Sequence, residues 1–234
     1  MLQYGLIASF IGIGMALSVW TKKLTLSASL IGGLLAFLIY MGSGLLGLVL
    51  LSTFFIIASL ATIWKSAEKQ TKLLENNDHK RRNAGQVWAN AGLAGLLGVL
   101  AWIFPAYQDV FITMLAACFS SALSDTLSSE LGNVYGKFFY NIISLKRDRK
   151  GLNGVISVEG TLFGIAGSVL IALIYGLFKG FSIDFWIIIL AGTLGNLSDS
   201  ILGATLERRN LLTNNAVNFS NTVVAALVSL FFRG

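Results

Sequence analysis

Eight stretches of the chain are almost wholly apolar, and the polar residues are confined between them and at their ends. The stretches run over about Leu2–Val19, Leu26–Met41, Leu45–Ile63, Gln86–Phe104, Val110–Ser124, Val158–Phe178, Phe185–Leu202 and Ala216–Phe232. Runs of this length predict helices that cross a bilayer. Several fall short of the ~20 residues a straight crossing needs, so they are expected to borrow their polar ends or to thin the bilayer locally. The weakest boundary lies between the second and third stretches, where only Gly42-Ser43-Gly44 intervenes. Two polar segments remain. Lys65–Arg82 reads as an amphipathic extension of the third helix, and Asn133–Ser157 holds the run KRDRKGLNG. The expected fold is all-α: one polytopic membrane domain over residues 1–234, with about eight transmembrane helices.

Composition agrees with the pattern. Charged residues make up 12% of the chain and mean hydropathy is +0.75, against about 25% charge in an ordinary soluble domain. No separate soluble domain fits. The 25 glycines suit close helix packing in a membrane. The pI of about 9.6 raises nucleic acid as a partner, but in a membrane chain basic residues serve first as topological anchors. With the N-terminus placed outside, all but Lys179 and Arg233 of the 17 lysines and arginines fall on the cytoplasmic side. That asymmetry sets the expected orientation. No basic segment precedes the first apolar stretch, so it reads as a span rather than a cleavable signal. Both long polar loops are then cytoplasmic, which favours a cytoplasm-facing enzyme over an alternating-access carrier with polarity at the midplane.

The candidate chemistry centres on Ser120–Gly132, SSALSDTLSSELG, late in the fifth stretch. A carboxylate in a spanning helix costs about 2.5–3.5 kcal/mol at the bilayer centre and less near its edge, so such residues usually mark a site. Asp125 has Ser121, Ser124, Thr126 and Ser129 around it, and Glu130 just beyond. Leu123-Ser124-Asp125-Thr126 recurs as Leu197-Ser198-Asp199-Ser200, followed by Glu207. Both segments run outside to inside, so Asp125 and Asp199 are expected at one depth, side by side. Two carboxylates about 5 Å apart repel by roughly 3 kcal/mol at an effective dielectric of 20, which a divalent cation would remove. Acids that merely cap helix ends or pair with loop lysines and arginines are the plainer reading. Repetition of the motif favours a site.

Two further groups accompany the acids. Lys150-Gly151-Leu152-Asn153-Gly154, leading to Ser157, Gly160 and Thr161, puts glycine-rich backbone and a lysine ahead of a helix start, a pattern suited to phosphate and equally to an ordinary flexible loop. Asn83, Gln86 and Asn90 (i, i+3, i+7) lie on one helix face, and Asn214, Asn218 and Asn221 (i, i+4, i+7) lie on another, with Asn215 beside them. These amides suit a base, a ribose or contacts between helices. His79 lies among loop charges and reads as solvated, Cys118 excludes an intramolecular disulfide, and the tryptophans fit an interfacial belt.

The segments SDTLSSELG, KGLNGVISVEGTLFGIAGS, GTLGNLSDSILGATLE and NNAVNFSN, with RRNAGQVWANAG ahead of them, resemble the DUF92 or TMEM19-like membrane family. That family includes the plant phytyl-phosphate kinase and is distantly similar to CTP-dependent dolichol and phytol kinases. The resemblance covers nearly the whole chain in collinear order. It implies transfer of a phosphoryl group from a nucleotide, CTP by analogy, to an isoprenoid monophosphate. On this combined reading Asp125, Glu130 and Asp199 hold Mg²⁺, with Lys150 as a further catalytic group. Asn83, Asn90, Ser124, Thr126, Ser129, Asn153, Gly154, Ser200, Glu207, Asn214, Asn215 and Asn218 bind nucleotide or lipid phosphate. The partners are a nucleoside triphosphate, an isoprenoid monophosphate and the bilayer, with no nucleic acid. The location is an integral membrane, the inner membrane in a bacterium, with the catalytic face cytoplasmic. A cytidylyltransferase making a CDP-lipid needs the same groups, and a lipid or solute transporter is the alternative outside enzymology.

Overall fold

Gly44 turns the longest apolar stretch back on itself. The computed structural model describes residues 2–65 and 81–233. The expectations placed on Lys69, Lys72, His79 and Lys80, and on most of the amphipathic extension, lie outside the described residues. The helices are α1 (Leu2–Trp20), α2 (Leu26–Ile63), α3 (Ala84–Ile103), α4 (Gln108–Tyr135), α5 (Val158–Lys179), α6 (Ile183–Leu202) and α7 (Asn214–Arg233). A straight helix of 38 residues would be about 57 Å long, nearly twice a bilayer core of about 30 Å. At Gly44 the backbone takes φ 60 and ψ −145, a region open essentially to glycine alone. Beyond it the chain reverses, so that Gly47 packs on Ile39. Both ends of α2 therefore reach one end of the molecule. Leu24 pairs with Arg82, whose guanidinium lies over Phe54 in the returning arm. The turn itself meets the other end, where the Gln108 Nε2 donates to the Gly42 carbonyl at 2.8 Å. Among the described residues, six helices are long and apolar enough to cross a membrane, with α2 counted once and α1 a shorter apolar helix beside it.

Local sequence explains where the helices start. Thr25 caps α2, its Oγ1 accepting from the Ala28 amide. Asn83 and Gln86 form a reciprocal capping box at α3, and the Ser157 Oγ accepts from the Gly160 amide at α5. Each cap satisfies N–H groups that the first turn leaves without partners. Helix α4 is the axis, in contact with α2, α3, α5, α6 and α7. Small residues let the helices approach it. Gly132 meets Gly160, Gly192 meets Ser120, and Gly195 meets Ser121. Dispersion over such close backbones is the main attraction available between helices in lipid. All five tryptophans are exposed, in keeping with the expected belt.

Between α4 and α5 the chain forms a two-stranded antiparallel ribbon, β1 (Tyr140–Asn141) and β2 (Val155–Ile156), with Tyr140 opposite Ile156. The hydropathy pattern of the chain predicts no strands there. Helix α6 ends in a π-helical turn over Gly203–Glu207, a device often found at functional sites.

Lys179 and Arg233, the two basic residues set apart by the charge asymmetry, sit together at the end away from the ribbon. Lys179 pairs with Asp109 at 2.8 Å on the surface. Arg233 pairs with the largely buried Asp184 at 3.1 Å, and the Tyr175 hydroxyl donates to Asp184 at 3.3 Å. Removing one partner of a buried pair leaves the other charge uncompensated, at a cost of about 3 kcal/mol, whereas an exposed pair is worth about 0.2–1 kcal/mol. Asp184→Asn should therefore lower the unfolding midpoint in detergent well beyond Asp109→Asn. Equal shifts in a thermal melt would refute this ranking.

Candidate active site

A cavity of about 610 Å³ opens at the end of the molecule where α2, α4 and α6 finish and α3, α5 and α7 begin. The antiparallel arrangement thus points three helix N-termini at one region, and N-termini favour anions. The two acidic motifs meet here. Asp125 of α4 and Asp199 of α6 stand with their carboxyl groups within hydrogen-bonding reach of each other, and Glu130 and Glu207 lie close enough to act on Asp125 electrostatically. Asp199 is held by Asn221 of α7, whose Nδ2 donates to Oδ2 at 2.9 Å. The same amide accepts from the Ser121 Oγ at 3.1 Å. On the other side, the Ser128 Oγ donates to the Asn196 Oδ1 at 3.1 Å. Each acid is therefore flanked by a polar link between neighbouring helices.

The polar groups form a row. At one end Arg82 lies beside Glu130. Glu130 leads to Asp125 and Asp199, then to Glu207, which bonds the side chains of Asn153 and Asn214. The segment Gly151–Ser157 closes that second end. It is docked directly on the π-helical turn. A Cβ on Gly154 would fall on the Ala204 backbone, and Gly154 has φ 71, so this close approach requires glycine. Arg208 clamps the loop, its Nε donating to the Asn153 carbonyl at 2.6 Å and its Nη2 to Asp148 at 2.8 Å. The Asp148 carboxyl is held below the ordinary carboxylate range, first by the Arg149 amide and then by Arg208. With the folded-state pKa depressed, the clamp is intact at neutral pH and is lost only as pH falls through that lowered value.

Most of the residues expected at the site line this cavity: Asp125, Thr126, Ser129, Glu130, Asn90, Asn153, Gly154, Asp199, Ser200, Glu207, Asn214 and Asn218. Four do not. Asn83 spends its side chain on the α3 capping box. Ser124 is buried against Gly164 of α5, behind the acids. Asn215 packs its amide on Gly85 and joins the starts of α7 and α3. Lys150 is exposed beside the cavity without forming its wall. Glu130, expected with the metal ligands, sits on the Arg82 side of the acid pair. The sequence reading missed Asn196, Ser128 and Arg82. Asn196 lies one turn before Asp199 in an apolar helix, a polar placement that itself signals function. In sequence Arg82 is indistinguishable from the other basic residues that serve as topological anchors.

Among the described residues no three His, Cys, Asp or Glu side chains form a metal-holding group by themselves. The acids meet as a pair, and a pair still fits Mg²⁺, which is ordinarily held by one or two carboxylates with phosphate oxygens and water completing its shell. Four carboxyl side chains line the cavity, and among the described wall residues Arg82 alone is basic. Such a wall repels a free polyphosphate, and divalent cations would screen that repulsion.

Residues 9–226 match the family described as integral membrane protein DUF92. An uncharacterized membrane protein of Synechocystis, sll0875, is 32% identical over 84% of this chain and 77% of its own length. Protein VTE6, chloroplastic, of Arabidopsis thaliana is 30% identical over 86% of this chain and 62% of its own. An uncharacterized membrane protein of Methanocaldococcus jannaschii, MJ0933, is 32% identical over 84% of this chain and 80% of its own. No solved structure matches. A match that takes in every residue named in the cavity wall, together with these relatives, places the chain in the DUF92 family of integral membrane proteins.

Proposed function

We propose that the chain is a phosphotransferase that moves the terminal phosphoryl group of a nucleoside triphosphate, CTP by the family resemblance, onto an isoprenoid monophosphate. The observation that carries this reading is the row itself: paired acids, with a cationic end on one side and a glycine-rich loop on the other, in one cavity. Phosphoryl transfer asks a protein mainly for alignment and charge neutralisation. Asp125 and Asp199 would hold Mg²⁺, which would offset the negative charge of the phosphates. Asn153, Gly154 and the start of α5 would receive the nucleotide phosphates, with the amides of Asn214, Asn218 and Asn90 around them. The acceptor is already ionised near neutral pH, so no histidine base is needed. The catalytic end faces the cytoplasm on this reading, because the basic loops gather there, and the chain crosses the membrane eight times, the arms of α2 counting separately.

The test uses the purified protein in detergent with Mg²⁺, γ-labelled CTP or ATP, and phytyl, farnesyl and geranylgeranyl monophosphates. Label appearing in a lipid diphosphate is the expected result. Release of pyrophosphate with an unlabelled CDP-lipid would move the assignment to a cytidylyltransferase. Absence of both products across the panel would overturn the enzyme reading and leave transport to be measured.

A further inference from the structure

We propose that Arg82 is the docking point for the phosphate of the membrane-borne acceptor, a prenyl monophosphate, at the end of the acid row opposite the glycine loop. This rests on the phosphotransferase reading above. A reaction between two phosphates needs two anion sites with the acids between them, and the row has two distinct ends. The loop end is exposed, and Gly151 and Asn153 face water. The guanidinium of Arg82 lies on Phe54 of the returning arm of α2, and the close of that same arm, Thr62 and Ile63, forms part of the cavity wall. Ile63 and the adjacent Trp64 are half exposed and apolar, as a segment beside lipid tails should be. A headgroup at Arg82 leaves its chain a path along that apolar surface.

Arg82 is built for the task. Its backbone is fixed by reciprocal bonds, its amide donating to the Lys23 carbonyl at 2.9 Å and its carbonyl accepting from the Thr25 amide at 3.1 Å. Its guanidinium lies 5.7 Å from the centroid of the Phe54 ring, within the range of a cation–π contact. Burial pushes its pKa below the ordinary arginine value and Glu130 pushes it back up, yet a guanidinium remains a cation at any working pH. A planar fork held on a ring suits bidentate recognition of phosphate.

Binding of farnesyl monophosphate and of farnesol should be compared by calorimetry in detergent for wild type, Arg82→Gln and Arg82→Lys, with CTP binding measured in parallel. Wild type should prefer the phosphate. Arg82→Gln should lose that preference at least tenfold and Arg82→Lys about threefold to tenfold, since lysine keeps the charge without the fork. CTP affinity should stay within about twofold in both, and Arg82→Lys answers the question if Arg82→Gln fails to fold. A preference for phosphate that survives in a folded variant overturns the role of Arg82 alone. Wild type that does not distinguish phosphate from alcohol overturns that role and the kinase reading together.

Discussion

Asp125→Asn and Asp199→Asn should each lower phosphoryl transfer by about 10³-fold, roughly 4 kcal/mol of barrier, and should leave the protein folded. Asparagine keeps the shape of the side chain and removes its charge. Side by side, Asp125 and Asp199 cannot both ionise without a repulsion of roughly 4 kcal/mol at an effective dielectric of 20. Either substitution relieves this. The thermal midpoint of the metal-free protein should hold steady or rise as activity disappears, the pattern of a site assembled at the expense of stability. Mg²⁺ should stabilise wild type by mass action and stabilise neither variant. Near-normal turnover in both variants would sink the assignment of the acids. A fall in midpoint in both would show that the pair holds the fold together instead.

The acid pair was legible in the sequence because the same four-residue pattern ends two spans of the same direction. Antiparallel helices then had to bring the two ends to one depth. The helices were legible for a similarly simple reason: a run of apolar residues in lipid must satisfy its own backbone hydrogen bonds, and a helix does so locally. The turn at Gly44 was marked only by Gly42-Ser43-Gly44. Apolarity is continuous through it, and what breaks the helix is a backbone conformation, which hydropathy does not register.

Residues whose roles depend on neighbours far away in the chain were harder to read. Asn83, Asn90, Asn214 and Asn215 look alike in sequence, yet Asn90 and Asn214 face the cavity, Asn83 caps its own helix and Asn215 packs on α3. A helix face fixes the direction of an amide, while its partner is decided by packing. Arg82 shows the same limit. Counted with the loop charges it is one anchor among many, and only the pairing of its backbone with Lys23 and Thr25 brings it over Phe54 and into the wall. The ribbon was hidden for a further reason. Strands of two residues carry no periodicity, and this one is stabilised by the Asn141 side chain, which accepts from the amides of Ile143 and Ser144.

Gly154→Ala should raise the KM for nucleotide about 10- to 100-fold, while Gly151→Ala changes it less than about threefold. Both glycines have positive φ, 71 and 81, so alanine at either position carries a similar backbone cost of about 1–2 kcal/mol. Their surroundings differ. A Cβ on Gly151 meets open space, whereas one on Gly154 lands on the backbone of Ala204. To admit it, the loop must lift from the π-helical turn, at an overpacking cost of about 1–3 kcal/mol. Lifting separates Asn153 from Glu207 and lengthens the bond from Arg208 to the Asn153 carbonyl. The helices that form the core do not pass through this loop, so Gly154→Ala should purify as a folded protein with its KM for lipid monophosphate close to wild type. Equal nucleotide KM values in the two variants would mean that the loop need not be docked to bind nucleotide, and the donor phosphates would have to be placed elsewhere along the row. A rise in the lipid KM instead would exchange the two ends of the site, giving the loop to the acceptor and Arg82 to the donor.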